Sequence, residues 1–449
     1  MNRQFGKLLL PLAFTLLAVS GISGCLEVDN PFTGLPPGPW RAVLDLSPQP
    51  IASNPQGKPL PDNGNFGFQE VTEGELPFNF EIKYENEKDY YIEITNGAEH
   101  IRVDDIFVGR DRSTAKDTVV ISFPVYDSYI RAIFEEGVME GEWVLNNKPD
   151  YRVHFVARHG QNHRFTTLRK PPVMDLSGRW EATFGIGSEE EYKAIAEFQQ
   201  QGNHLLGTFL TETGDYRYLE GTVQANKLYL STFDGAHAFL FEGKIQEDGT
   251  LIGSFQSGKH YKTLWEARRN PDFQLRNAYE VTYLREGYDK LQFAFENTEG
   301  QLVSLESPPY KDKVVLVQIM GTWCPNCRDE TEFLKDYLKQ HPGQEIEVLA
   351  LAFERYQNPD KAKRAIKTFK EKMEVPYEIL YAGIAGQEEA SKALPMLNAI
   401  ISYPTLVFIG RDGKVKKIHT GFTGPATSEF ETFKQEFETY VNQLLNEKQ

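Results

Sequence analysis

Cysteine is scarce: three in 449 residues exclude a disulfide framework, so each sulfur has to be explained on its own. Positive charge is short as well. The 48 Lys and Arg stand against 64 Asp and Glu, a net charge of −16, which argues against a nucleic-acid partner because phosphate binding draws on Lys and Arg. No GxGxxG or P-loop pattern occurs, and Gly383-Ile384-Ala385-Gly386 lacks a phosphate-loop context. His154, His159, His163, His204, His237 and His260, and later the isolated His341 and His419, have no metal-ligand spacing, and no second cysteine pair completes a zinc site. They read as hydrogen-bonded or surface side chains, and no metal is expected. Disorder is excluded by 40% apolar residues with 30 Phe, 21 Tyr and 5 Trp, a composition that builds cores. The length calls for two to four domains.

Residues 1–24 carry Arg3 and Lys7, then an apolar run from Leu8 to Val19 that is shorter than the ~20 residues of a spanning helix, then Ile22-Ser23-Gly24 before Cys25. This ordering reads as a cleaved export signal; an uncleaved anchor helix with an incidental cysteine is the rival reading. Ile22-Ser23-Gly24-Cys25 resembles the lipobox of bacterial lipoproteins. The resemblance implies that Cys25 is lipidated and becomes the mature N-terminus, leaving a net charge of −18 once Arg3 and Lys7 are removed. Leu26 in place of Asp then implies the outer membrane, facing the periplasm. Residues 25–39 include the Pro- and Gly-rich stretch Asn30 to Pro39, which reads as a tether.

From Trp40 to about Asn270, short alternating runs separated by turn residues indicate strands. Examples are Tyr90 to Ile94 before Asn96-Gly97, Lys227 to Leu230, and Thr250 to Phe255 after the turn Glu247-Asp248-Gly249. A short helical piece is expected only at Glu189 to Gln200. Two portions resemble each other. Gly38-Pro39-Trp40-Arg41-Ala42 matches Gly178-Arg179-Trp180-Glu181-Ala182. Gly141-Glu142-Trp143 with Val153 to Arg158 matches Gly253-Ser254-Phe255 with Thr263 to Arg268. The expectation is two tandem antiparallel barrels or sandwiches, 40–169 and 173–270, joined across Lys170-Pro171-Pro172; one larger β-domain is the alternative. A linker over 271–289 then leads to a domain over 290–449.

That last part opens on an expected hairpin, Leu291 to Phe295 and Gln301 to Leu305, and a continuous apolar strand, Val314 to Met320, of the kind buried on both faces in an α/β sheet. Gly321-Thr322-Trp323-Cys324-Pro325-Asn326-Cys327 follows, and then a helical stretch from Arg328 to Leu338. A CxxC at the first turn of a helix sets its first sulfur against unsatisfied N–H groups and the positive end of the dipole, which stabilises the thiolate. The spacing lets Cys327 resolve a mixed disulfide formed by Cys324. Pro325 suits the helix start. Further helices are expected at Pro359 to Met373, with Ala362, Ile366 and Phe369 on one face, and at Ser428 to Leu445.

Trp323-Cys324-Pro325-Asn326-Cys327, with Ser402-Tyr403-Pro404-Thr405 before Leu406 to Ile409 and Asp412-Gly413 after it, resembles the thioredoxin superfamily. The closer likeness is to its TlpA-like branch of membrane-tethered thiol:disulfide oxidoreductases. The resemblance covers about 290–449 and implies an α/β thioredoxin-like fold behind the all-β half. It also implies a cis peptide at Pro404, a substrate groove shaped by Trp323, Pro325, Asn326, Tyr403, Pro404 and Thr405, and no cofactor beyond the Cys324–Cys327 disulfide. Many thioredoxins carry a buried Asp six positions before the first cysteine; here that position is Gln318. The TlpA-like branch often supplies a Glu after the next strand, which implies Glu354 as the proton acceptor, its pKa raised in a partly dry cleft. Pro325-Asn326 between the cysteines leaves the reduction potential open.

The expected activity is reduction of disulfides in exported or envelope proteins, with electrons from a membrane donor such as a thiol transporter. Two rivals stand beside it. Peroxiredoxins share the fold but keep a Thr where this chain has Gly321. The other rival is a surface binding or scaffold lipoprotein with an auxiliary redox domain.

Overall fold

The structure is a computed structural model that describes residues 34–46 and 71–447; the export signal, Cys25 and most of the tether lie outside the described residues. Two antiparallel sheets precede an α/β domain, which agrees with the fold class expected above. Among the described residues the first sheet has nine strands, from Gly38–Asp45 to Arg152–His159. Its first strand pairs with both the second and the last, while Glu99–Val103 and Ile106–Arg110 form its two edges among the described residues. It is a half-barrel.

The second sheet runs from Gly178–Phe184 to Tyr261–Arg269 and closes on itself, because Tyr192–Gln201 pairs along its length with His204–Thr211. That pairing corrects the helix expected at 189–200. Ala194, Ala196 and Phe198 fall on one buried face at a period of two, and the barrel's need for a closing strand overrides the weak helical spacing. Phe184, Phe209, Phe241, Phe255 and Trp265 fill the inside in stacked and edge-on contacts, with Phe209 and Phe241 4.6 Å apart.

The internal resemblance appears in the strand register. Trp40 faces His159 and Ala42 faces Ala157 across one seam; Trp180 faces Arg269 and Ala182 faces Ala267 across the other. Each indole N–H donates to the carbonyl four residues earlier, Pro36 or Leu176. Gly141 stands opposite Phe155 and Gly253 opposite Trp265, and a Cβ at either glycine would lie 2.0–2.1 Å from a neighbouring strand's carbonyl oxygen.

The half-barrel completes its core on the outside of the barrel. Leu228 and Leu230 point into the barrel, while Tyr229 and Phe233 belong to the first sheet's core, where Phe233 stacks on Phe78 at 4.4 Å. Burying each such aromatic contributes about 2–3 kcal/mol, so the open sheet depends on the closed one.

In the last domain the buried strand Val314–Met320 lies parallel to Ile346–Glu354, itself parallel to Glu378–Ile384, with Thr405–Ile409 and Val415–Thr420 antiparallel on the other side. The helices Pro325–Gln340, Pro359–Lys372 and Phe430–Asn446 pack on this sheet through stripes that include Ala362, Ile366 and Phe369, and Phe433 and Phe437. The expected hairpin shrinks to two-residue strands, Phe295–Glu296 and Leu302–Val303. Residues 271–289, expected as a linker, lie against this domain instead. Thr282 N–H donates to Thr420 Oγ1, Arg285 N–H to Met396 O, and Leu284 bridges to Leu397.

Candidate active site

The buried strand delivers the chain to Gly321, and Cys324 forms the N-cap of the helix that follows, its Sγ accepting the Cys327 N–H at 3.2 Å. Pro325 fills the first turn, where no N–H is needed. Cys324 and Cys327 are joined in a disulfide with their Cα atoms 5.2 Å apart. Cys324 is 5% exposed and Cys327 fully buried, so the first sulfur is the one that can be approached. Cys324 Sγ also lies 3.3 Å from Tyr403 O, and the Tyr403–Pro404 peptide is cis. Trp323 is anchored by its N–H to Phe353 O at 2.9 Å, meets Tyr403 edge-on and carries the Arg355 guanidinium 3.8 Å over its ring. Thr405 is buried and its hydroxyl donates to Ser402 O, so it braces the proline loop from within rather than facing the groove.

Glu354 ends the neighbouring strand in full burial. The Thr322 N–H and hydroxyl donate to its two oxygens, each at 2.9 Å. Burial pushes its pKa up to about 7, against the pull of the Thr322 bonds and Arg355. It can therefore exchange a proton near neutrality.

A second carboxyl escaped the sequence reading. Glu330 is fully buried on the CxxC helix three residues after Cys327, among the described residues neither oxygen finds a well-aligned hydrogen-bond partner, and burial pushes its pKa up to about 8 against a weak pull from Gln318. The i, i+3 spacing puts it on the face of Cys327. A charged residue inside an otherwise apolar helix stripe was the available signal. Gln318 lies nearby, donating to Cys327 O and accepting from the Thr331 and Tyr377 hydroxyls; its amide relays hydrogen bonds but cannot take up a proton.

The groove itself corrects an expectation. Barrel residues 212–217 sit on it, with Asn326 Nδ2 donating to Asp215 O at 3.0 Å, Ser402 Oγ to Thr213 O at 2.7 Å, and Gly424 N–H to Asp215 Oδ2 at 2.7 Å. Gly214 has φ +127°, and a Cβ there would stand 2.3 Å from Asn326 Nδ2, so only glycine permits this approach. Pro325 and Asn326 thus face the barrel. This contact joins residues more than a hundred positions apart, and no local pattern announces it.

A bonded CxxC at a helix head, beside a cis-proline loop on this sheet, defines the class: a thioredoxin-fold domain. Residues 271–434 match the Redoxin family model, and this C-terminal part of the chain is a thiol-disulfide oxidoreductase domain of the thioredoxin/Redoxin class. The chain is 27% identical over 138 residues to the thiol-disulfide oxidoreductase ResA of Bacillus subtilis (strain 168), covering 31% of this chain and 69% of that protein. It is 28% identical over 142 residues to ResA of Geobacillus thermodenitrificans (strain NG80-2), covering 32% and 73%. Among solved structures, a thioredoxin-family thiol:disulfide interchange protein from Chlorobium tepidum TLS aligns with 36% of this chain and 99% of its own, at 20% identity and a TM-score of 0.28. The Redoxin match lies beyond the two β-sheets, which end at Arg269.

Proposed function

We propose that the protein is a membrane-tethered thiol:disulfide oxidoreductase that reduces disulfides of exported proteins through Cys324 and Cys327, held by a lipid on Cys25 at the outer membrane and facing the periplasm. The observation that carries the reading is the Cys324–Cys327 pair at the N-terminus of its helix, with the more exposed sulfur at the cap.

In the reduced protein the Cys324 thiolate is stabilised by the Cys327 N–H and the helix dipole. It attacks one sulfur of the substrate disulfide, and the other leaves as a thiolate. Cys327 then gives up its proton and attacks Cys324 Sγ, releasing the second substrate thiolate and closing the internal disulfide. Two electrons pass to the substrate, and an external dithiol donor, of the membrane thiol-transporter class, must return them. Glu354 and Glu330 are the carboxyls whose raised pKa values suit them to take up the Cys327 proton.

The reading is tested by the redox midpoint of the pair in the soluble mature chain, followed by alkylation and intact mass in graded thiol buffers. A value near or below roughly −270 mV is expected; one towards roughly −120 mV makes the protein an oxidant or isomerase, and failure to form the internal disulfide ends the enzyme reading. Glu354→Gln is expected to slow resolution of the mixed disulfide about a hundredfold or more, within the usual range of general acid–base contributions, and to flatten the rate step near pH 7. An unchanged pH profile in that variant, with loss of the step in Glu330→Gln, assigns the proton to Glu330.

A further inference from the structure

Where the half-barrel, the barrel and the redox domain meet there is a cavity of about 890 Å³, within the roughly 300–1,000 Å³ that small-molecule sites occupy. Lys148 and Tyr151 contribute from the half-barrel, His237 and His260 from the barrel, and Asn326, Arg355 and Ile401 from the redox domain. Asn326 lies between the two cysteines, and Ile401 directly precedes the Ser402-Tyr403-Pro404 loop. The cavity therefore borders both halves of the groove that residues 212–217 otherwise cover.

Its wall carries charge of both signs, Lys148, Lys193 and Arg355 beside Glu191, Glu212 and Asp215, and Lys193 is taken up by Glu181. Lys148 Nζ lies 3.4 Å from both ring nitrogens of His260, and Arg355 stacks on Trp323; among the described residues neither cation forms an ion pair with a carboxylate. The acidic side chains of the wall are held elsewhere. Glu212 pairs with Arg276, Glu191 accepts the Gly187 N–H at 3.0 Å, and Asp215 accepts the Arg217 and Gly424 N–H groups, each at 2.7 Å. Asp234, behind His237, accepts the Ala236 and His237 N–H groups. Burial and then the charge of Arg355 push Lys148 down to about 8; burial, then Lys148, Arg355 and His237, push His260 to about 4. Lys148 and Arg355 repel one another, Glu354 offsets part of this at Arg355, and an anion placed between the two cations offsets more of that cost.

We propose that this cavity binds the carboxylate of the molecule whose disulfide Cys324 attacks, so that the preferred substrates are anionic disulfides. The same chemistry is offered by an Asp- or Glu-rich segment of an exported protein and by a low-mass carboxylate disulfide. The inference rests on the exchange reading above and adds no new covalent step: Cys324 bonds to one substrate sulfur, the substrate S–S bond breaks, and Cys327 displaces the second thiolate. The cavity holds the charged group while the disulfide reaches past Asn326.

The test is single-turnover oxidation of the reduced, full mature chain by three probes: anionic glutathione disulfide, neutral 2-hydroxyethyl disulfide and cationic cystamine. Each is run on the wild type and on Lys148→Glu. The ratio of anionic to neutral rate is expected to fall about tenfold in Lys148→Glu, and the cationic to neutral ratio to rise, since close charge complementarity sets encounter rates. Lys148→Gln, a milder change, is expected to move both ratios the same way by less. Ratios identical in all three proteins overturn the inference while leaving the exchange reading intact; no reaction with any probe overturns both. Where the anion preference is present, an acidic disulfide peptide reacting faster than glutathione disulfide identifies a protein segment as the natural source, and the reverse order a free thiol.

Discussion

A Cys327→Ser variant is expected to lose multiple-turnover exchange by a factor on the order of a thousand or more and to accumulate a mixed disulfide on Cys324. Cys324 caps the helix and retains the Cys327 backbone N–H as donor in this variant, so its thiolate still forms and still attacks. The second displacement is lost, because a serine hydroxyl does not displace the Cys324 sulfur. The adduct is read by intact mass and disappears on treatment with dithiothreitol. Cys324→Ser is expected to abolish turnover with no adduct, because Cys327 is fully buried and cannot meet the substrate first. Turnover that survives in either variant removes the paired mechanism.

Arg217→Met is expected to cost about 3–5 kcal/mol, the usual penalty for removing one partner from a buried charge network. Arg217 is buried where all three bodies touch. It pairs with Glu99 of the half-barrel, reaches Asp329 of the CxxC helix at 2.8 Å, donates to Pro325 O at 3.2 Å and stands 3.9 Å from Asp234 of its own barrel. Burial alone would lower its pKa; Asp329, Glu99, Tyr126 and Asp234 hold it well above the ordinary value. Methionine of similar length leaves these carboxylates facing one another without the cation they share, with Arg328 acting on Asp329 alone from the side. Denaturant unfolding is expected to change from a joint transition to separate ones, with faster proteolysis across 271–289. Lys is not expected to rescue, because one ammonium cannot reproduce a fork that meets Glu99, Asp329 and a carbonyl together. A transition coincident with the wild type shows that the bodies are held by their other contacts.

The parts that were legible in the sequence are those whose cause is local. The apolar strand before Gly321, the CxxC at a helix head and the proline loop each lie within a few residues, and the structure places Cys324 3.3 Å from Tyr403 O as one site. The Trp40/Trp180 and Gly141/Gly253 correspondences were also visible, because register is carried by which residues repeat along each strand. What stayed hidden depends on partners far along the chain. Tyr216-Arg217-Tyr218 looks like an ordinary strand fragment until Glu99 and Asp329 arrive from either side. His237 and His260, read as unremarkable histidines, gain meaning from their partners, Asp234 and then distant Arg355 for the first and distant Lys148 for the second. Alternation along Lys227–Phe233 announces a strand but not that Tyr229 and Phe233 would serve a different sheet from Leu228 and Leu230.

The aromatic filling of the barrel has a mechanical consequence. Close-packed protein interiors compress very little. With Phe184, Phe209, Phe241, Phe255 and Trp265 stacked through its centre, the barrel behaves as a stiff strut, its one flank gripping the half-barrel through Phe233 and its rim resting on Asn326 and Ser402. A displacement of the barrel is therefore expected to move its contacts with Phe78 on one side and with Asn326 and Ser402 on the other together.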